Sequence, residues 1–244
     1  MDDEVFRQRY RELVQGYTER LPLDAAMRIA VGGEFEAVGV LERQLLIQHG
    51  LRPDDYVVDV GCGSGRLAKA LADYLRGPYL GLDVVAELLV YARTLVTRPD
   101  WRFELIEGFR IPEEDHRVDV VCFFSVFTHL LHEHSYLYLQ EATRVLKPGG
   151  KIVLSFLEFA NPVHWAVFEQ ALRDASGSST LVQFMSRDGI AAWASHLGLR
   201  IEAIEDGDRP TIALDAPLVL ERGEVLEELG ALGQSVCVLS VPAD

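Results

Sequence analysis

A glycine-rich turn is the stretch of this chain best suited to ligand chemistry. Residues 56–65 read YVVDVGCGSG, an apolar β-branched run with one acid followed by three alternating glycines. The apolar run predicts a buried strand, and glycine, which has no Cβ, allows a sharp turn that approaches a ligand closely. Apolar residues at helical spacing follow between positions 67 and 75. Strand, turn and helix together place backbone N–H groups at the carboxyl edge of a sheet, where nucleotide-like ligands bind.

Asp83 ends the next apolar run and is the second candidate ligand-binding group. An acid at this strand end can accept hydrogen bonds from both hydroxyls of a ribose, which suits any nucleoside. A dinucleotide fingerprint, however, needs glycine at the sixth position of the turn, and that position is Arg66. A phosphate-binding P-loop would need Gly-Lys-Ser/Thr, and no lysine follows the turn. The turn therefore completes neither of these two motifs, while Asp83 by itself would suit a dinucleotide as well as any other nucleoside ligand.

Three histidines near residue 130 are candidates for a metal site or a catalytic base. His129, His132 and His134 lie in the run HLLHEH, which has the order of neither zinc-protease motif. On a helix His134 would point away from the other two, so we expect no metal site. His129 follows a predicted strand end, where a neutral imidazole could take a proton from a substrate hydroxyl. It could equally serve only to hold the neighbouring loop.

Two further groups of aromatic and histidine side chains are candidates for substrate contact. His164, Trp165 and Phe168 follow the fifth predicted strand, and aromatic residues in such a loop could line a substrate pocket. The same residues could instead form the buried face of a helix. Phe35 follows Gly33 in the N-terminal region, and this stretch could approach the bound ligand.

Alternating strand and helix patterns predict the elements that would position these residues. The predicted strands are residues 56–60, 79–83, 101–106, 118–124, 151–156, 199–204 and 235–241, with a short helix near 224–229. Alternation of this kind predicts a doubly wound α/β fold, in which helices cover both faces of a parallel sheet. Ser186 is a predicted helix N-cap, and residues 147–150 are a predicted stop signal.

The predicted domain organisation is an N-terminal helical cap, residues 1–50, followed by a ligand-binding domain, residues 51–244. Helical patterns at 2–20 and up to Gly50 could either cover a sheet face or close over the ligand. The segments at about 159–185 and 206–234 are longer than a sheet requires. We expect these insertions to select the substrate, because long connections usually serve as lids or binding loops.

Charge and cysteine content limit the partners and the compartment. The chain has 244 residues, with 23 Lys and Arg against 38 Asp and Glu, a net charge of −15. Nucleic-acid binding requires a basic face, so we expect no nucleic-acid partner. The three cysteines, Cys62, Cys122 and Cys237, suit reduced thiols in the cytoplasm. The acidic N-terminus is unlike a signal peptide, and no apolar stretch is long enough for a membrane span.

Three motifs resemble those of class I methyltransferases, which bind S-adenosylmethionine (SAM). Residues 56–65 resemble motif I, VDVVCFFS at 118–125 resembles motif IV, and RVLKPGGK at 144–151 is similar to the turn before the fifth strand. The resemblance covers roughly residues 50–157. It implies a seven-stranded sheet whose last strand is antiparallel, with N-terminal helices and insertions forming a cap. It also implies that SAM lies across the carboxyl ends of strands one to four.

The resemblance implies a set of cofactor-binding residues. They are Asp59, Gly61, Cys62, Gly63, Ser64, Gly65, Asp83, Val84, Gly108, Phe109 and Ser125. One position departs from the family, which often has Gly-Asp-Ala after the third strand, where this chain has Glu107-Gly108-Phe109. We therefore expect backbone groups near Gly108 to read the adenine, with the ring of Phe109 available to pack on the base.

The expected function is transfer of a methyl group from SAM to a small-molecule acceptor, leaving S-adenosylhomocysteine (SAH). O-methylation is favoured, with His129 as the base, and Phe35, His164, Trp165 and Phe168 as the expected substrate contacts. Two alternatives remain open: methylation of a protein side chain, and a non-catalytic SAM-binding module whose acidic face serves a partner. The sequence identifies neither the acceptor nor the oligomeric state.

Overall fold

The computed structural model describes residues 3–173 and 181–243. The chain forms two compact units, the first made of Met1–Gly108 and Thr211–Gly230 and the second of Phe109–Pro210 and Ala231–Asp244. The helices of the first unit are α1 (Asp3–Thr18), α2 (Leu23–Ala30), α3 (Phe35–Gln48), α4 (Arg66–Leu71) and α5 (Ala86–Leu95). The second unit contains α6 (His132–Val145), α7 (Pro162–Arg173) and α8 (Arg187–His196).

Seven of the strands in the described residues form one mainly parallel sheet. They are β1 (Val57–Val60), β2 (Tyr79–Asp83), β3 (Trp101–Leu105), β4 (Val118–Phe123), β5 (Leu146–Phe156), β6 (Arg200–Glu205) and β11 (Ser235–Ser240). Their order is β3-β2-β1-β4-β5-β11-β6, and β11 runs antiparallel to both of its neighbours. Every residue of β1 and β2 is buried, as expected for parallel strands covered on both faces. The predicted α/β fold, with its antiparallel last strand, is confirmed.

Two small hairpin sheets complete the first unit. They pair β7 (Ile212–Ala213) with β10 (Leu229–Gly230), and β8 (Leu218–Val219) with β9 (Val225–Leu226). The helix predicted near residues 224–229 is therefore wrong. Gly223, with φ of +83°, closes a tight turn in which its N–H donates to Leu220 O at 2.8 Å. The hairpin closed by this turn overrides the helical tendency of the acidic, leucine-containing sequence.

Other element boundaries differ from the sequence pattern for local reasons. Helix α2 was not predicted, because only eight residues separate its ends; Ala26, Met27 and Ala30 give it a buried face. Strand β5 begins at Leu146, since the stop signal at 147–150 is accommodated by a register shift between β4 and β5. Helix α7 occupies part of the insertion at 159–185, whose Ser-rich residues 174–180 lie outside the described residues. The Ser186 cap is confirmed: its side chain accepts the Gly189 N–H.

Candidate functional site

The glycine turn of the first unit follows β1, where the sequence predicted it. Gly61, Gly63 and Gly65 have φ of +76°, +54° and +87°, a region that residues with a Cβ rarely adopt. A Cβ on Gly63 would lie 2.4 Å from Val31 Cγ1, and one on Gly65 would lie 2.8 Å from Ala92 Cβ. Glycine is therefore required at these two positions for two reasons: the positive φ, and the close packing of neighbouring protein atoms.

Hydrogen bonds hold the turn to β2 and to α2. The Gly61 and Cys62 N–H groups both donate to Leu82 O, at 2.7 and 2.9 Å. The Ser64 hydroxyl, fully buried, donates to Met27 O at 2.8 Å. Burial, and then the charges of Asp59 and Asp83, raise the pKa of the Cys62 thiol well above its ordinary value. This thiol is therefore protonated at neutral pH.

The two acids predicted to bind the cofactor are both buried. Asp59 is 2 % exposed, and its Oδ2 accepts the Tyr79 hydroxyl at 2.6 Å. Asp83 is 4 % exposed; its Oδ2 accepts the Gly63 N–H and its Oδ1 the Val85 N–H, both at 2.9 Å. Burial raises the pKa of Asp83 to about 6, although these backbone donors act in the opposite direction. Since a carboxylate oxygen has two lone pairs, Asp83 can accept further donors.

Helix α1 covers the strand ends of the first unit. Arg7 donates to Ile106 O at 2.8 Å and to Gly108 O at 3.2 Å, just beyond β3. Tyr10 donates to Ala30 O at 3.1 Å, and burial followed by the Asp83 charge raises the pKa of its phenol. Sequence reasoning missed both side chains, because amphipathic spacing shows that a helix packs but not which carbonyls it meets.

Arg66, which replaces the sixth glycine of a dinucleotide turn, has a structural role of its own. Its guanidinium forms a buried ion pair with Glu42, with 2.5 Å between Nη2 and Oε1. The same side chain donates to Gly32 O at 2.8 Å, which fixes the loop before α3. Phe35, at the start of that helix, is 1 % exposed and stacks beneath Arg28, whose Cζ lies 4.8 Å from the ring centroid.

The residues expected near the adenine are divided between the two units. Gly108 has φ of +74°, and a Cβ built on it would meet no atom within 4 Å. Val84, beside Asp83, is half-buried. In the second unit, the Phe109 ring packs against His134 and Tyr138, with centroids 4.6 and 5.3 Å away.

The residues of the first unit have a geometry that fits a nucleoside ligand. Asp83 retains lone pairs for two ribose hydroxyls, and the open space beside Gly108 allows a planar group to approach the backbone. Both features lie at carboxyl ends of strands, the usual ligand-binding edge of an open α/β sheet.

Ser125, Ser155 and Gln234 form a closed hydrogen-bonded ring in the second unit. The Ser125 N–H donates to Ser155 Oγ at 2.7 Å, and Ser155 Oγ donates to Gln234 Oε1, also at 2.7 Å. Gln234 Nε2 then donates to Ser125 Oγ at 2.9 Å. The ring joins β5 to the residues that follow β4 and precede β11. Sequence reasoning missed Ser155 and Gln234, since neither belongs to a recognisable motif.

His129 is held as a neutral imidazole of defined tautomer. A carbonyl can only accept, so the 2.8 Å contact between Nδ1 and Leu181 O requires the proton on Nδ1. The basic lone pair of the neutral ring is then on Nε2. Burial lowers the pKa of His129, which favours the neutral ring at physiological pH.

The other histidines of the run have separate contacts. His132 Nε2 lies 3.0 Å from Phe184 O, and His134 packs on Phe109. Among residues 3–173 and 181–243, no three His, Cys, Asp or Glu side chains are grouped in a way that could hold a metal ion.

Helix α7 places the remaining candidate substrate contacts in different surroundings. His164 is fully buried; its Nδ1 accepts the Glu158 N–H at 3.1 Å, and its Nε2 has no hydrogen-bond partner among the described residues. Trp165 is 45 % exposed. It belongs to an aromatic cluster made of Phe159, Trp165, Phe168 and Phe184, whose ring centroids are 4.5–6.4 Å apart.

Glu158, whose N–H orients His164, is fixed by charged and polar partners of its own. Arg187 donates to both carboxylate oxygens at 2.7 and 2.8 Å, and Ser235 Oγ donates at 2.5 Å. The Arg187 hydrogen bonds are the main reason why the pKa of Glu158 lies below its ordinary value. The backbone around His164 is therefore held by an ionised carboxylate.

Comparison with known proteins gives a family match and several distant relatives. Residues 58–154 match the family model described as "Methyltransferase domain". A 27-O-demethylrifamycin SV methyltransferase of Amycolatopsis mediterranei (strain S699) is 26% identical over 161 residues, which are 64% of this chain and 58% of the relative. A ubiquinone biosynthesis O-methyltransferase of Xylella fastidiosa (strain M23) is 28% identical over 158 residues, 61% of this chain and 62% of the relative. The chain thus spans about 60% of the length of these relatives.

Solved structures match the whole fold at low sequence identity. The magnesium protoporphyrin IX methyltransferase of Synechocystis PCC 6803, solved with bound SAH, is 14% identical, with a TM-score of 0.63. That alignment covers 98% of this chain and 99% of the neighbour. None of the helices in the described parts of the chain is both long and apolar enough to cross a membrane. The central part of the chain, residues 58–154, therefore matches a methyltransferase-domain family model, and the whole chain has a fold similar to that of this methyltransferase.

Proposed function

We propose that the protein transfers a methyl group from SAM to a hydroxyl oxygen of a small molecule. The observation that carries the cofactor assignment is the position of the Asp83 carboxylate. One of its oxygens accepts the Gly63 N–H of the glycine turn, and the other accepts the Val85 N–H. The observation that favours an oxygen acceptor is His129, a neutral imidazole with its lone pair on Nε2. Amine or carboxylate acceptors have less need of such a base.

The first unit supplies most of the proposed cofactor ligands. Asp83 would accept the ribose hydroxyls beside Val84, and the backbone near Gly108 would meet the adenine. The turn would hold the amino-acid end through Asp59, Gly61, Cys62, Gly63, Ser64 and Gly65. The family resemblance also implies Phe109 and Ser125, which both belong to the second unit. When bound, SAM supplies an electrophilic methyl group on a positively charged sulfur.

His129 is the proposed base. The acceptor oxygen forms its bond to the methyl carbon as the sulfur–methyl bond breaks, with the electron pair remaining on sulfur. His129 Nε2 takes the hydroxyl proton, and Leu181 O stabilises the resulting imidazolium through its bond to Nδ1–H. A positioned base of this kind contributes about 10²–10⁴-fold in rate.

A small molecule is the favoured acceptor for two reasons. The names of the two relatives given above describe methylation of small molecules. A net charge of −15 opposes binding to nucleic-acid phosphates. His164, Trp165 and Phe168 are the proposed acceptor contacts in the second unit, with Phe35 a further candidate in the first. We further propose a cytoplasmic location, because the three cysteines are buried and form no disulfide in the described residues.

Calorimetry with SAH and NAD tests the cofactor assignment. We expect SAH to bind and NAD not to bind, since Arg66 and its ion pair occupy the place of the sixth glycine. Tighter binding of NAD than of SAH would contradict the proposal.

A screen with labelled SAM and hydroxylated small molecules tests the activity. His129→Gln should then lower kcat by about 10²–10⁴-fold, while the dissociation constant for SAH stays the same. Label transfer only to protein, or an unchanged kcat in His129→Gln, would contradict the assigned acceptor class or the assigned base.

A further inference from the structure

We propose that the Ser125 hydroxyl donates a hydrogen bond to a second oxygen of the methyl acceptor, and that Ser155 and Gln234 are positioning residues that keep it a donor. This inference rests on the proposed function and specifies its substrate as a molecule with two nearby oxygens. One oxygen gives up its proton to His129 and receives the methyl group. The other accepts from Ser125 and sets the orientation of the molecule.

Ser125 is held in a conformation that serine seldom adopts. Its φ is +59°, in the left-handed region where residues other than glycine are uncommon. The backbone is fixed there from both sides: its N–H donates to Ser155 Oγ at 2.7 Å, and its carbonyl accepts from Thr128 Oγ1 at 2.7 Å. Strain retained in this way is concentrated at functional sites, and a carboxyl-edge turn is where ligands bind in this fold.

The direction of the hydrogen bonds in the ring determines what the Ser125 hydroxyl can do. Ser155 Oγ accepts from the Ser125 N–H, so its own hydrogen goes to Gln234 Oε1. The amide therefore presents Nε2–H to Ser125 Oγ. Because this oxygen already accepts, its own hydrogen must point elsewhere, and no acceptor for it is found among the described residues. Ser155 is fully buried and its hydroxyl both accepts and donates inside the ring, whereas Ser125 is half-buried, so Ser125 is the member of the ring that can donate to a ligand.

The donor and the proposed base belong to the same turn. Within residues 125–129, the Thr128 hydroxyl bonds to Ser125 O and the His129 N–H donates to Val126 O at 3.0 Å. Ser125 and His129 are therefore fixed relative to each other by short local bonds. A ligand that meets both needs a hydroxyl for the imidazole and another oxygen for the serine. A site built to hydrogen-bond a substrate oxygen discriminates strongly against analogues that lack it.

Two variants remove the donor by different routes. Ser125→Gly deletes the hydroxyl and tolerates φ of +59°, so it should fold at least as well as the parent. Gln234→Glu keeps an oxygen that accepts from the Ser155 hydroxyl but loses the Nε2–H group that donates to Ser125 Oγ. The hydroxyl hydrogen of Ser125 should then donate to the new carboxylate instead of to a ligand. Gln140→Glu, on the exposed face of α6, is the matched charge control.

The probes are catechol and 2-methylphenol, which has a methyl group where catechol has its second oxygen. The parent and Gln140→Glu should prefer catechol in kcat/KM. Ser125→Gly and Gln234→Glu should lower kcat/KM for catechol by about tenfold to a hundredfold, the value of one hydrogen bond to a desolvated oxygen. Their turnover of 2-methylphenol, melting temperature and SAH affinity should not change.

Each other outcome overturns the inference. A parent that binds SAH yet methylates neither probe, or both equally, does not use a second oxygen. Variants that keep the catechol preference show that Ser125 is not its source. Weaker SAH binding in Ser125→Gly would make this residue a cofactor ligand, as the family resemblance implies. Failure of the parent to bind SAH at all would instead overturn the proposed function.

Discussion

Asp83 of the first unit both holds the glycine turn and is the proposed ribose ligand. Its carboxylate sits at the end of β2, holds the glycine turn through the Gly63 N–H, and is 4 % exposed. Burial raises the pKa of Asp83 to about 6, so at pH 7 most molecules carry an ionised, desolvated carboxylate. Such a group gains from every donor that it meets, and ribose hydroxyls are the donors that the proposed cofactor would bring.

Replacing Asp83 by Ala should weaken SAH binding by about tenfold to a hundredfold. The reason is the loss of charge-assisted hydrogen bonds, worth about 1–3 kcal/mol. Calorimetry checks the affinity, and circular dichroism checks that the variant is folded. An unchanged dissociation constant in a folded variant would mean that Asp83 does not bind the ribose.

The affinity for SAH should fall as the pH is lowered from about 7.5 to 5. Ribose hydroxyls bind better to the charged carboxylate, so cofactor binding favours ionised Asp83, and protonation below its pKa of about 6 opposes binding. The effect on folding has the opposite sign. Because the pKa of Asp83 is higher in the folded than in the unfolded protein, its contribution to folding stability is present at low pH and is lost as the pH rises through about 6. Calorimetric titrations across this pH range test the affinity, and Asp83→Asn should abolish the dependence.

At the level of elements, strand ends were predictable and helix packing was not. The strands, the glycine turn and the Ser186 cap follow from apolar runs and residues with strong local preferences. Burial of Asp83 under α1, the Arg66–Glu42 pair and the ring around Ser125 depend on residues far apart in sequence. The helix predicted near 224–229 was wrong because a hairpin around Gly223 used the same residues. Local patterns therefore predicted the strand ends at which the cofactor ligands are proposed, but not the contacts that enclose them.

Helix α7 offers a test of acceptor selection that is separate from cofactor binding. Trp165 lies half-exposed in the aromatic cluster and donates through Nε1 to Glu169 at 3.2 Å. Trp165→Ala should raise the KM for the acceptor or lower kcat, because aromatic contact area is lost, while SAH affinity stays the same. Val167→Ala, an exposed position on the same helix, is the control. A changed SAH affinity, or unfolding of the Trp165 variant, would contradict a role in acceptor binding.

Many acidic side chains of the molecule lie in ion pairs with arginines. The 38 acids give a net charge of −15, yet in the parts of the chain that the structure describes no grouping of His, Cys, Asp and Glu could hold a metal. Many of the acids pair with arginines instead, as in Arg144 with Glu141 and Asp115. Charge count alone therefore says little about metal sites, and the absence of a metal site that the histidine spacing indicates stays a prediction.

Methyl transfer should continue in EDTA at the rate measured without it. The expected mechanism uses His129 and backbone groups, and within residues 3–173 and 181–243 no three His, Cys, Asp or Glu side chains are arranged to hold a metal ion. The assay is label transfer from SAM to catechol before and after chelation. Loss of turnover in EDTA, restored by a divalent metal ion, would contradict this expectation.

The covering helix α1 has a consequence for the timing of cofactor exchange. Arg7 bonds to a carbonyl just beyond β3 and Tyr10 to the last carbonyl of α2, while Asp83 is almost inaccessible to solvent. A nucleoside can therefore reach or leave Asp83 only after these bonds break. In stopped-flow mixing, the observed association rate should level off at high SAH concentration, at the rate at which α1 opens. Arg7→Ala should raise that plateau, and a rate that rises linearly throughout would mean that the helix imposes no barrier.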